Sequence, residues 1–96
     1  MRKSNTQKLG EVIKEYLRSL KIDRKVKETG IINTWASVMG RSVSRRTKKI
    51  YIRKGIMYVH LDSPILRNEL SYMKTRIKKR FNEDAGEEII KDIVLR

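Results

Sequence analysis

The chain has 96 residues, 39% hydrophobic and 36% charged, which suits one folded domain and is too apolar for a disordered segment. Its 24 Lys+Arg outnumber 11 Asp+Glu for a net charge of +13, a field that attracts DNA, RNA or an acidic protein surface. The absence of cysteine excludes disulfide and thiolate chemistry, and a single Pro with five Gly leaves no room for a long linker or low-complexity tract.

The opening Met1-Arg2-Lys3-Ser4-Asn5 leads into an amphipathic segment, not an apolar run. No signal peptide or membrane span is expected, and the expected location is the cytoplasm. Ser4, Asn5 and Thr6 offer N-cap oxygens, with Gln7 three residues after Ser4 as in a capping box. Leu9, Val12, Ile13, Tyr16, Leu17 and Leu20 then recur at helical spacing, with Lys8, Glu11, Lys14, Glu15 and Arg18 on the other side. Residues 21–29 are charged and read as a connection with at most one helical turn, anchored by Ile22 and Val26. Thr29 can cap a second helix carrying Ile31, Ile32, Trp35, Val38 and Met39, and Gly40 stands where a C′ glycine belongs. On this stripe Trp35, the sole Trp, is expected to be a core anchor.

Residues 41–54 hold seven positive charges and no negative one: Arg41, Arg45, Arg46, Lys48, Lys49, Arg53 and Lys54. Within and after this run the period changes from 3.6 to 2. Lys54-Gly55 predicts a two-residue hairpin turn, because Gly tolerates φ > 0. That turn pairs Arg53 with Ile56, Ile52 with Met57, Tyr51 with Tyr58, Ile50 with Val59 and Lys49 with His60. Alternation sends Ile50, Ile52, Met57, Val59 and Leu61 to the core, and Lys49, Tyr51, Arg53, Tyr58 and His60 to the opposite face, with Ile56 the one aliphatic residue among them.

Ser63-Pro64 marks a helix start, with a capping oxygen followed by Pro at the first helical position. Leu66, Leu70, Met73, Ile77 and Phe81 predict one long helix, whose outer face carries Lys74, Arg76, Lys78, Lys79 and Arg80. The segment Glu88 to Arg96 is short and rich in Ile and Val and predicts a third strand, with Ile93 and Leu95 inward. The fold class is therefore α+β: a two-layer domain of order α-α-β-β-α-β, its three-stranded sheet covered by helices on one face.

One His and no Cys provide no transition-metal cluster, and the glycines are too isolated for a phosphate loop. The carboxylates Glu83, Asp84, Glu87 and Glu88 lack calcium-loop spacing and read as solvated. Ser42, Ser44 and Ser63 have no base positioned beside them in sequence. The expectation is a non-enzyme without cofactors, without a small-molecule substrate and without a membrane. Tyr51 and Tyr58, bordered by Lys49, Arg53 and His60, can be a surface on which bases stack while cations meet phosphates. They can equally be a cross-strand pair that stabilises an exposed sheet.

The ordered set Trp35-Ala36-Ser37-Val38-Met39-Gly40, Val43, Thr47, Ile50 to Pro64 and Arg67-Asn68-Glu69-Leu70 resembles the bacterial DciA family. The closing Ile93-Val94-Leu95-Arg96 is similar to that family's terminal strand. The resemblance implies a K-homology (KH)-like domain over residues 1–96. It also implies a role with the DnaB-type replicative helicase, recruiting or assisting it at the initiation of DNA replication. The Gly-x-x-Gly of a KH clamp is absent from this chain. The expected partners are single-stranded DNA or another nucleic acid and, from the resemblance, that helicase. Two alternatives stay open: a KH-like RNA-binding protein of ribosomes or transcripts, and a scaffold meeting acidic proteins. The candidate nucleic-acid-binding residues are Arg41, Arg45, Arg46, Lys48, Lys49, Tyr51, Arg53, Lys54 and Tyr58, with Lys74, Lys78 and Lys79 on the later helix.

Overall fold

The computed structural model describes the backbone of residues 2–96 and the side chains of residues 8–96; the capping box expected at Ser4 to Gln7 lies outside the described side chains. Two helices, α1 (Arg2–Met39) and α2 (Arg41–Arg46), precede a hairpin of β1 (Thr47–Arg53) and β2 (Ile56–Leu61). Helices α3 (Pro64–Ser71) and α4 (Lys74–Ala85) follow, and β3 (Asp92–Leu95) closes the chain. The fold is α+β and the element types come in the expected order, but the helices divide at different places.

The first difference is that residues 21–29 are helical, so α1 is one helix of 38 residues. Nothing between Lys21 and Thr29 breaks a helix, and Asp23 supports it with an ion pair to Lys27 at 3.5 Å. Thr29 caps nothing: its hydroxyl donates to the Lys25 carbonyl one turn back, as threonines inside helices do. The helix ends where expected, at Gly40, whose φ of +89° turns the chain into α2.

The hairpin has the expected turn and register. Lys54 and Gly55 both have positive φ (52° and 80°), and Tyr51–Tyr58, Ile50–Val59 and Lys49–His60 are cross-strand partners. A bulge between Thr47 and Lys49 ends the regular pairing next to α2. Ser63 caps α3, its hydroxyl accepting from the Leu66 amide at 3.2 Å, with Pro64 behind it.

The second difference is a break in the expected long helix at Tyr72 and Met73. Their amides bond three residues back, to Glu69 and Leu70, which tightens the turn. Leu70 on α3 and Ile77 and Phe81 on α4 all reach the core, whereas Met73 at the joint is 39% exposed.

The final strand is shorter than the expected Glu88–Arg96 and pairs parallel to β2, giving a sheet of order β1-β2-β3. Ile89 and Ile90, adjacent in sequence, are both fully buried ahead of it, which a regular strand does not allow. Asn82 makes this possible. Its amide oxygen accepts from the Ile89 and Ile90 amides at 3.0 and 2.8 Å, and its nitrogen donates to the Ile90 carbonyl at 2.9 Å.

One face of the sheet, with Met57, Val59, Leu61 and Ile93, forms the core with Ile31 and Trp35 of α1, Val43 of α2, Leu70 of α3 and Phe81 of α4. Trp35 stacks on Phe81 with centroids 5.8 Å apart and donates its indole N–H to the Thr47 hydroxyl at 3.0 Å. It is 2% exposed, the core anchor expected of it.

Candidate nucleic-acid interface

The other face of the sheet carries the side chains that alternate with the core. In β1 these are Lys49, Tyr51 and Arg53; in β2, Ile56, Tyr58 and His60; in β3, Val94, followed by Arg96. Pairing of the chain continues past β3: the Arg96 amide donates to the Val59 carbonyl, and the Arg96 carbonyl accepts from the Leu61 amide. This holds Arg96 level with His60 on the outer face, next to Tyr58.

Tyr51 and Tyr58 stack across the strands, centroids 4.9 Å apart and planes within 16°. Cations flank the pair on both sides. Lys49 Nζ lies 5.3 Å and the Arg53 guanidinium 5.9 Å from the Tyr51 centroid, and the Arg96 guanidinium lies 5.0 Å from that of Tyr58. Tyr58 is thus enclosed between Tyr51 and Arg96. Tyr51 faces a groove at the open edge of β1, which it lines with Lys49, Arg53, Lys54 and, from α1, Lys25 and Glu28. His60 sits beside Tyr51, ring centroids 5.9 Å apart, and its Nε2 is buried without a hydrogen-bond partner. An aromatic stack bordered by cations, opening on a basic groove, can take a planar base against a ring and its phosphates against the lysines and arginines.

The remaining expected residues fall into two groups. Arg41, Arg45 and Arg46 ride on α2 and are exposed, held in place by the buried Val43. Arg46 and Lys48 share Asp62, at 3.9 and 3.6 Å, so part of their charge is met within the chain. Lys74, Lys78 and Lys79 are on α4, which packs on the core face of the sheet; the structure does not bring them together with the tyrosines. Lys79 pairs with Glu83 at 3.9 Å, and in the acidic run Arg80 holds Asp84 at 3.1 Å and Lys27 holds Glu87 at 2.8 Å. The bond to Glu87, which ties α1 to the segment after α4, raises the Lys27 pKa above its ordinary 10.5. No metal-holding group of three or more His, Asp or Glu occurs among the described residues. Nor, among them, is any helix long and apolar enough to cross a membrane.

Two residues of this surface, Arg96 and Lys25, were missed by sequence reasoning. The alternation that turns Ile93 and Leu95 inward also turns Arg96 outward, but only the parallel register with β2 sets it beside Tyr58. Lys25 reaches the groove because residues 21–29 continue the helix.

No curated protein and no solved structure matches the chain. The family model described as "Dna[CI] antecedent, DciA" matches residues 8–95, nearly the whole chain and every element of the outer face. The chain belongs to the DciA family, whose setting is DNA replication and the loading of the replicative helicase.

Proposed function

We propose that this protein is a non-enzymatic accessory of the DnaB-type replicative helicase that holds single-stranded DNA across the outer face of its sheet. The observation that carries the reading is the Tyr51–Tyr58 stack with cations on both sides, on the face that the core helices leave free. Tyr51 offers the ring surface toward the groove, and Tyr58 backs it. Lys49, Arg53, Lys54 and Arg96 meet the phosphates nearest the rings, and Arg45 and Arg46 extend the path along α2. The work in this reading is recruitment: the protein binds the strand and the helicase and performs no chemistry on either.

Fluorescence anisotropy with a labelled single-stranded DNA oligonucleotide, at several salt concentrations, tests this. Tyr51→Ala is expected to weaken binding by about 1–3 kcal/mol, the contribution of one stacked base, while leaving the salt slope unchanged. A folded Tyr51→Ala protein that binds as the parent does would reject the stacking surface. Repeating the titration with RNA of the same sequence separates a DNA-directed protein from the RNA-binding alternative. Recovery of the helicase from nuclease-treated extract tests the protein partner.

A further inference from the structure

The N-terminal part of α1 extends away from the core, and the molecule measures 66 Å along its longest axis against 21 and 19 Å across. Leu9, Val12, Ile13, Tyr16, Leu17 and Leu20 form one stripe on this part of the helix, each 47–64% exposed. Farther along, the same face carries Ile31 and Trp35 into the core, with Arg24 and Lys27 interrupting between. The outer part of the stripe is therefore an apolar surface that the chain's own core does not use.

Its sequence is close to a palindrome in chemical character. About a point between Lys14 and Glu15, Leu9 is matched by Leu20, Gly10 by Ser19, Val12 by Leu17 and Ile13 by Tyr16. A helix with this pattern is complementary to itself turned end for end, which is the condition for an isologous two-fold interface. The same symmetry sets Glu11 level with Arg18 and Lys14 level with Glu15, so acids meet the level of bases. The small residues Gly10 and Ser19 flank the stripe on its two sides. A Cβ at Gly10 would meet nothing within 4 Å beyond its own stretch of helix backbone, so packing within the monomer does not require a glycine there.

We infer that α1 pairs with α1 of a second copy, antiparallel, through the stripe from Leu9 to Leu20. From the exposed fractions of the six side chains, each copy contributes roughly 600 Å², so a pair buries on the order of 1,200 Å², the lower end of specific interfaces. Charge selects the orientation. The body of the molecule begins near Lys27, where α1 is tied to Glu87. In the antiparallel pair the two bodies stand roughly 40 Å apart along the helices. That is several times the Debye length of about 8 Å at physiological ionic strength. A parallel pair would press two strongly positive bodies side by side. The segment from Lys8 to Leu20 has three basic and two acidic residues, so the paired region escapes the repulsion that a net charge of +13 imposes elsewhere.

Sedimentation equilibrium of the full chain, without nucleic acid and across the micromolar range, reads this directly and independently of the DNA-binding reading. The expected mass rises with concentration from 11.4 kDa toward twice that value. The double variant Ile13→Glu/Tyr16→Glu is expected to weaken the dimer by on the order of 30-fold or more, as loss of a central apolar anchor does. At concentrations low enough for both to be monomeric, its melting curve and Trp35 fluorescence should match the parent, because both residues are far from the core. Since the chain has no cysteine, Leu9→Cys and Leu20→Cys proteins can be mixed and oxidised; the mixed disulfide should form faster than either self-disulfide. A chain that stays monomeric overturns the inference, as does a folded double variant that still dimerises. Preferential Leu9→Cys self-disulfides reject the antiparallel arrangement. A monomer whose stripe is covered only when the helicase is added would assign the surface to that partner instead.

Discussion

Asn82 shows how much one side chain can determine at the scale of a residue. It sits near the end of α4 and satisfies two amides and one carbonyl of the segment that leads into β3. Those groups flank Ile89 and Ile90, which are 0% exposed, so water cannot replace the bonds. Asn82→Ala should cost about 2–4 kcal/mol in urea denaturation, since it leaves several buried polar groups without partners. Asn82→Asp keeps the oxygen that accepts from the two amides but sets a carboxylate oxygen against the Ile90 carbonyl, so it too should be less stable than the parent. In the sequence Asn82 is indistinguishable from a helix-ending polar residue. Its role depends on two isoleucines seven and eight positions on, and no local pattern announces that. The outer face was more legible. Tyr51, Tyr58, Lys49 and Arg53 follow from strand alternation and a hairpin turn that only a positive-φ dipeptide satisfies. Arg96 was not, because its place depends on a strand partner distant in sequence.

At the scale of elements, the sequence resolves a boundary when a residue enforces it. Gly40, Lys54-Gly55 and Ser63-Pro64 mark their boundaries through positive φ or a missing N–H, and the structure places them where the sequence does. Residues 21–29 contain no such residue. Their apolar periodicity lapses because the helix there leaves the core for solvent, and a lapse in burial looks the same as a lapse in helix. The break at Tyr72–Met73 is the converse: nothing in the sequence forbids continuation, and the turn arises because α3 and α4 must each reach the core. The inner end of α1 is held by Trp35, through its stack on Phe81 and its bond to Thr47. Trp35→Ala should destabilise the fold by about 3–5 kcal/mol, as large aromatic truncations in cores do, measured by thermal or chemical denaturation. Trp35→Phe keeps most of the ring and gives up the indole hydrogen bond, so it should cost less. A Trp35→Ala protein that melts like the parent would remove the residue from the core account.

Across the whole molecule the governing quantity is the distribution of charge. On single-stranded DNA, six phosphates met by Lys49, Arg53, Lys54, Arg96, Arg45 and Arg46 would give a log–log salt slope of roughly −4. Arg45→Ala/Arg46→Ala should flatten it by about 0.7 for each phosphate no longer neutralised. Lys74→Ala/Lys78→Ala/Lys79→Ala, on the helical layer, should leave it nearly unchanged. The reverse result would move the path of the strand to α4. The parallel pairing of β2 with β3 bears on how such a surface comes into being. The hairpin closes on a two-residue turn, whereas Ile56 meets Asp92 across a separation of 36 positions in the chain. Long closures cost more conformational entropy and follow local ones during folding. Arg96 reaches Tyr58 only when that last pairing forms. A nascent or partly opened chain would have its tyrosines and much of its positive charge but not the finished cation–aromatic sandwich, so the face proposed for the strand is complete only once β3 has docked on β2.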